Sequence, residues 1–558
     1  MSFCSWEAKR LISLAIPVFL AQVTLILMTV VDTVMAGQVS ATDLAALSIA
    51  TGIWNPLMLA LQGILLALTG IIAQFAGSND KQGISHYFQQ GLYLALALAI
   101  IGLGLASLAD TVLSQLDTSQ SITHLAEQYI HFVKWGIFGF LLFSVYRNIT
   151  EGMGMTKPAF YISLIGLAVN IPANYVFIHG KLGFQAYGGA GCGIATALVF
   201  TAMALTQVIY CHFNRKIDAK ALLANFEAPK PATLWTITKV GIPISLATFF
   251  EVTLFACIPL FIAHLGAVAV AGHQIAASVT TLLFMMPLSL SIAISIRIGN
   301  LFGQQHYQQL RNAVKTSYIL AAIIAFLLAS VTFFARDIIS QLYSDNPEVL
   351  ALASSIMVLA CIYQLPDALQ VSANGILRGL KYTAPIGYIT FVSYWLIGFA
   401  LGFGFGRLLA RLFGCTQLLQ LALTLGFEVR RLALDVSTLL AHFYVYCLAA
   451  SYFQGANRFA LEGNLARLRA GITMGVLQIR QQRLLFIITD CLRRTGLGQT
   501  CFLHLLQQAL YRSTYFISQL FDRHFRHSLL SSVGSVRHRR GNLVESDRLF
   551  KPGGAGCH

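Results

Sequence analysis

The chain has 558 residues, of which 56% are hydrophobic and only 11% charged, with a mean hydropathy of +0.70. Soluble domains carry about 25% charged residues, so a water-soluble enzyme, a disordered chain and a coiled coil are excluded, leaving a polytopic helical membrane protein. The formal charge of +15 is unevenly placed: residues 407–558 hold 19 of the 37 Lys and Arg and 7 of the 22 Asp and Glu, a net of +12, whereas residues 1–406 net +3.

A bilayer core takes about 20 mostly apolar residues per helix. Eleven segments meet that length: 11–37, 44–76, 87–109, 123–152, 158–179, 188–212, 234–265, 268–302, 314–335, 347–378 and 385–406. The opening MSFCSWEAKR lacks a small-residue cleavage site and runs straight into apolar sequence, so it reads as an uncleaved first helix. That helix carries Asp32, within VDTVMAG (31–37) near its outer end. Lys134 and, in the eighth segment, Arg297 are expected to snorkel or pair at bundle ends. The fourth segment ends with Arg147 and Glu151, whose i, i+4 spacing predicts a local salt bridge. In the fifth, Asn170 and Asn174 share a face and flank Pro172. The sixth opens with GGAGCG (188–193), which lacks the Lys-Ser/Thr ending of a phosphate loop and reads as close helix packing. Residues 213–233 form the one long polar connection, with Arg215, Lys216, Lys220 and Lys230, and divide a bundle at 1–212 from a second at 234–406. The seventh segment holds Glu251; the tenth holds Tyr363 and, directly after Pro366, Asp367.

The ten cysteines form no CxxC pair and no Cys/His cluster at metal-ligand spacing. Cys4, Cys192, Cys211, Cys257 and Cys361 lie in or beside apolar segments, where packed thiols are expected.

Charge sets the orientation. With a cytoplasmic N-terminus, the inner side collects Lys9, Arg10, Lys81, Lys157, Arg215, Lys216, Lys220, Lys230, Arg311, Lys315, Arg378 and Lys381, and the outer side Lys181 and Arg336. The chain also repeats at an offset of about 226 residues: Ile16-Pro17 falls on Ile242-Pro243, Ser114-Gln115-Leu116 on Ser340-Gln341-Leu342, and the tract ending at Gly77 on the tract ending at Gly303. The repeat unit holds six helices, an even number, so the expected fold is all-α: two six-helix bundles in parallel repeat, facing each other across a cavity, with the twelfth helix in doubt.

Ionisable groups within spans mark function by default. Asp32, Glu251 and Asp367 have no Lys or Arg within a turn or two on their own helices, which poises them for proton or metal-ion exchange. Tyr363 lies one turn before Asp367, and Asn170 with Asn174 offers two amides beside a weakened backbone.

VDTVMAG, EGMGMTKP, LAVNIPANYVFIHGK (167–181), GGAGCGIATA (188–197), FFEVTLFA (249–256), AGHQIA (271–276) and ANGILRGLKYTAP (373–385) resemble the multidrug and toxic compound extrusion (MATE) family, in its NorM branch, over about residues 8–405. The resemblance implies a twelve-helix exporter of small hydrophobic, often cationic drugs, in the bacterial inner membrane, driven by Na+ or H+ antiport and using no other cofactor. It implies cation-coupling roles for Asp32, Glu251 and Asp367, supporting roles for Tyr363, Asn170 and Asn174, and possible Na+ binding at Glu251, Asp367 and Tyr363. Membrane lipids are the expected surroundings, nucleic acid is not an expected partner, and a monomer is the expected state. A lipid-linked oligosaccharide flippase is the nearest alternative; it needs cavity cations, for which Arg297 is the main candidate. No HExxH, paired catalytic aspartates or Ser/His constellation supports a membrane enzyme.

The resemblance stops near residue 406. Beyond it stand 18 Arg against 1 Lys, where residues 1–406 have 7 Arg against 11 Lys. A basic appendage, a divergent twelfth helix and a tail translated out of frame are the three readings, the last accounting best for patternless Leu/Arg/Cys/His-rich text and raising the alternative of an inactive chain with eleven helices.

Overall fold

The computed structural model describes residues 2–115, 119–214, 217, 226–262, 266–393 and 395, the side chains of 2–5, 256, 257, 260, 261 and 359 excepted; all regular elements among them are helical. The chain runs through α1 (Ser2–Val39), α2 (Ala41–Leu65), α3 (Ala67–Gly77), α4 (Lys81–Ser107), the short α5 (Ala109–Leu113), α6 (Gln120–Val133), α7 (Gly136–Gly152), α8 (Lys157–His179), α9 (Gly191–Phe213), α10 (Pro231–Ile262), α11 (Ala267–Gly303), α12 (Tyr307–Gln341), α13 (Pro347–Gly379) and α14 (Ala384–Phe391). Local chemistry sets several boundaries. Ser40 and Asp80 accept from the backbone amides of Asp43 and Gly83 at 3.0 and 2.9 Å, capping α2 and α4. Gly180, left-handed at φ 65°, closes α8.

Among the described residues eight helices are long and apolar enough to cross a bilayer, or ten when each bent pair counts as one span. These coincide with the first ten segments read from sequence, with two refinements. The 44–76 segment is α2 and α3, broken at Leu66. The 123–152 segment is α6 and α7, bent by 47° at a break that contains Lys134. The eleventh segment is described only from α14 to residue 395; residues 396–406, the tail at 407–558 with all three of its readings, Arg215, Lys216 and Lys220, and the side chains of Cys4 and Cys257 lie outside the described residues.

The repeat is visible in the contacts. A Cβ on Gly77 would run into the backbone of Asn300, and one on Gly303 into the backbone of Gln74; each member of this reciprocal pair is the 226-residue counterpart of the other. A residue later in the pattern, Gly152 lies against Thr69 and Ile72, and its counterpart Gly379 against Ser295 and Ile298. Helices α3 and α11 therefore cross with their backbones in contact, about a pseudo-two-fold axis. Only residues without a side chain allow such an approach, the arrangement by which membrane helices gain dispersion contacts where lipid offers no hydrophobic drive. The GGAGCG segment behaves as expected: Gly191 abuts the backbone of Phe177 and Gly193 the carbonyl of Tyr129.

The connection between repeats is strapped to the start of α4. Gln89 Oε1 accepts from the Glu227 amide at 2.8 Å, Gln90 Oε1 from the Lys230 amide at 2.7 Å, and Tyr93 donates to the Glu227 carbonyl at 3.2 Å. Lys230 and His86 hold the exposed Glu227 carboxyl below the usual carboxylate range by hydrogen bonding to it.

Overpacking a tight contact costs about 1–3 kcal/mol. Gly77→Val should therefore lower the apparent unfolding temperature in detergent by about 2–6 °C, and Gly303→Val should match it. An unchanged midpoint for both would show that the α3–α11 crossing is looser than described.

Candidate functional site

Of the residues singled out from sequence, the structure brings three into direct contact. Asn170 and Asn174, one turn apart on α8, turn the same face toward α1, and both donate from Nδ2 to Asp32 Oδ1, at 2.9 and 2.6 Å. Both asparagines are buried. Helix α8 is continuous through Pro172, so the proline weakens the backbone on this face without dividing it. Each amide keeps a buried Oδ1 with no hydrogen-bond partner among the described residues. An unpaired buried acceptor is costly, and here two of them accompany a carboxylate.

Further polar neighbours complete this pocket. Cys192 on α9 donates from Sγ to the Asp32 carbonyl at 3.7 Å. Thr196, one turn further along α9, and the buried Tyr129 of α6 stand close enough to interact with Asp32 and with each other. Sequence reasoning missed both. Tyr129 resembles any interfacial tyrosine, and Thr196 lies in an alanine-rich helix whose facing only packing reveals.

The second group stands in the other repeat. Glu251 on α10 is half-buried, as is Asp367 on α13, while Tyr363 is 2% exposed. Next to Glu251 in the chain, Phe250 packs on Phe391 at 5.0 Å and on Trp395 at 6.4 Å, and Trp395 Nε1 donates to the Phe250 carbonyl at 3.2 Å. Helix α13 is held to α12 by Gln364 Nε2, which donates to Thr332 Oγ1 at 3.1 Å between two buried side chains. The absence of a cation near Glu251 along its own helix does not carry over to space, since the charge of Glu251 acts on the guanidinium of Arg378. Among the described residues no three His, Cys, Asp or Glu side chains converge, so an ion at either acid would be held by one or two carboxylates and neutral oxygens.

Two other expectations concern ion pairs. Arg147 Nε donates to Glu151 Oε1 at 2.6 Å, both groups buried. Of its two expected outcomes Arg297 takes pairing: it is 3% exposed and forms two hydrogen bonds with Glu7, which is 0% exposed. In the sequence Glu7 is one residue of the polar opening MSFCSWEAKR, with nothing local to mark it. The signal was indirect, since an arginine inside a span requires an acid somewhere.

A model of the MatE family matches two stretches of the chain, 17–176 and 243–403, which begin 226 residues apart. The probable multidrug resistance protein NorM of Shewanella oneidensis is 47% identical over 407 residues, spanning 72% of this chain and 88% of that protein. The multidrug resistance protein MdtK of Yersinia pseudotuberculosis is 44% identical over 401 residues, with the same two coverages, 72% and 88%. Among solved structures, a MATE protein in its straight conformation superposes with a TM-score of 0.70 at 18% identity, covering 80% of this chain and 97% of that one. The eukaryotic MATE transporter AtDTX14 gives 0.69 at 19% identity, covering 80% and 96%. At these identities the superpositions speak to the fold alone.

Replacing Asp32 tests the polar pocket. Asp32→Leu leaves two buried amides without an acceptor, at about 1–3 kcal/mol each, whereas Asp32→Asn keeps a carbonyl oxygen in place. The leucine variant should unfold in detergent at the lower temperature of the two; equal midpoints would mean that the two asparagines do not depend on Asp32.

Proposed function

The chain belongs to the MatE family, and on that premise we propose that it is a multidrug exporter that moves hydrophobic, often cationic compounds out of the cell by ion antiport. Its helices make it a multi-pass membrane protein; the bacterial inner membrane, a cytoplasmic N-terminus, lipid surroundings and a monomeric state belong to the proposal. The observation that carries the reading is the Asp32 pocket: a carboxylate inside a span, gripped by Asn170 and Asn174, with the two remaining amide oxygens buried and without a hydrogen-bond partner among the described residues. Such a set of oxygen acceptors suits a sodium ion or a proton.

Within this reading, ion occupancy at Asp32 or at Glu251, Asp367 and Tyr363 favours one arrangement of the two bundles, and a cationic drug competes for the same carboxylates. Loading by one and release of the other are then exclusive. The ion drives the exchange only through its different affinity for the two arrangements. The flippase alternative loses its main cation, because Arg297 is buried and neutralised by Glu7.

Inside-out vesicles test this. Asp367→Asn and Glu251→Gln should each reduce ion-driven drug efflux by about tenfold or more, the equivalent of 1.4 kcal/mol, with separate Na+ and H+ gradients identifying the coupling ion. Efflux preserved in both variants, under both gradients, would remove these acids from the coupling.

A further inference from the structure

Helix α1 divides its packing between the repeats. Its later half belongs to the first: Met28 packs with Phe143, Ile162, Val199 and Met203, and Asp32 is held by α8. Its earlier half belongs to the second. Leu11 is fully buried in a cluster with Leu290, Ile294, Ile298 and Leu301 of α11, and Val18 is buried against Ile292 and Ile296. At the tip, Arg297 Nη2 donates to Glu7 Oε1 at 2.5 Å and Nε to Oε2 at 3.0 Å, a two-point grip between residues 290 positions apart. The guanidiniums of Arg297 and Arg10 both lie over the Trp6 ring, at 5.5 and 5.3 Å.

The same face of the bundle carries other links between the repeats. Gln74 Nε2 donates to the Gly379 carbonyl at 2.7 Å, Lys381 Nζ stands 5.2 Å from the Phe75 ring centroid, and the Gly77–Gly303 crossing lies beside them. Burial pushes the Lys381 ammonium below its usual range.

We propose that Glu7 and Arg297 form the latch that holds this face of the transporter shut, with the first half of α1 as its detachable arm. The proposal rests on the alternating-access reading above, in whose orientation this face is cytoplasmic. A buried pair suits a latch. Separated while the interface is dry, each charge faces the full cost of desolvation; once water enters the opened face, both are solvated. The pair therefore opposes partial opening and tolerates complete opening, which keeps the face sealed while the opposite side is open. Trp6 and Leu11 add apolar area that must leave the second repeat in the same step. A purely structural pair would have to stay closed in both states.

Hydrogen–deuterium exchange of the full chain in detergent or nanodiscs tests this without requiring transport. Glu7→Gln and Arg297→Gln each leave one buried charge without its counter-charge, and should speed exchange about tenfold or more in peptides covering 68–78, 296–306 and 374–384. Peptides at the opposite face, such as 41–50 and 184–195, should remain at the wild-type rate. The charge-swapped pair E7R/R297E should bring exchange back toward wild type. Unchanged exchange in both single variants, or equal acceleration at both faces, would overturn the latch. Drug efflux by the wild type separates the two ideas: its absence alongside the expected exchange pattern would sink the transport reading and leave a conformational lock, while normal efflux with unchanged exchange would sink only the latch.

Discussion

The approach of α3 and α11 at Gly77 and Gly303 is the constraint on which the remainder of the architecture depends. Each glycine meets backbone of the other repeat, at Asn300 and Gln74, so the crossing cannot widen without losing contact or narrow without collision. It sets the axis that relates the repeats, and it brings the end of α13 against α3, where Gln74 bonds to Gly379. Lipid supplies no hydrophobic force to press helices together, so such dispersion contacts and a few interhelical hydrogen bonds carry the association. The crossing does not stand alone: Gly63 of α2 abuts the backbone of Ser245, Gly241 of α10 abuts that of Ile64, and Ser245 Oγ donates to the Ala60 carbonyl at 2.6 Å.

The second organising rule is the treatment of charge in an apolar medium. Near the described core the charged groups find partners from elsewhere in the molecule or from the next turn: Arg147 with Glu151, Arg297 with Glu7, Asp32 with Asn170 and Asn174, and Asp43 with the Gly189 amide and Ser40. These arrangements differ in completeness. The Arg147–Glu151 pair lies on one helix and can persist through any rigid-body motion of the bundles. Glu7–Arg297 spans two repeats and has to break if the repeats separate. Asp32 is met by neutral amides, which compensate a carboxylate only in part and keep two oxygens of their own without a hydrogen-bond partner among the described residues. The three arrangements thus differ in completeness and in how much of the chain they span.

The helices, their order and the duplication were legible because each rests on short-range information. Span length follows from apolar run length, and a repeat follows from comparison of the chain with itself. The i, i+4 pairs were legible for the same reason: Arg147–Glu151 and Asn170–Asn174 are neighbours on a helix whatever else the chain does. The breaks at Leu66 and at Lys134–Trp135 were not, since neither contains proline or a polar cluster. Tyr129 and Thr196 were missed because helical facing, not residue type, places them beside Asp32.

By itself the sequence determined that this protein is a duplicated bundle of membrane helices with acids in three of its spans, because hydropathy and charge act residue by residue along the chain. Only the tertiary structure decided which groups those acids and bases meet. Asp32 and Asn174 are 142 positions apart, and Glu7 and Arg297 are 290 apart. The physical reason is that a buried charge is stabilised by whatever lies within a few ångströms of it, and for Asp32 and Glu7 that neighbour comes from another helix, which only the packing of the bundle brings into reach.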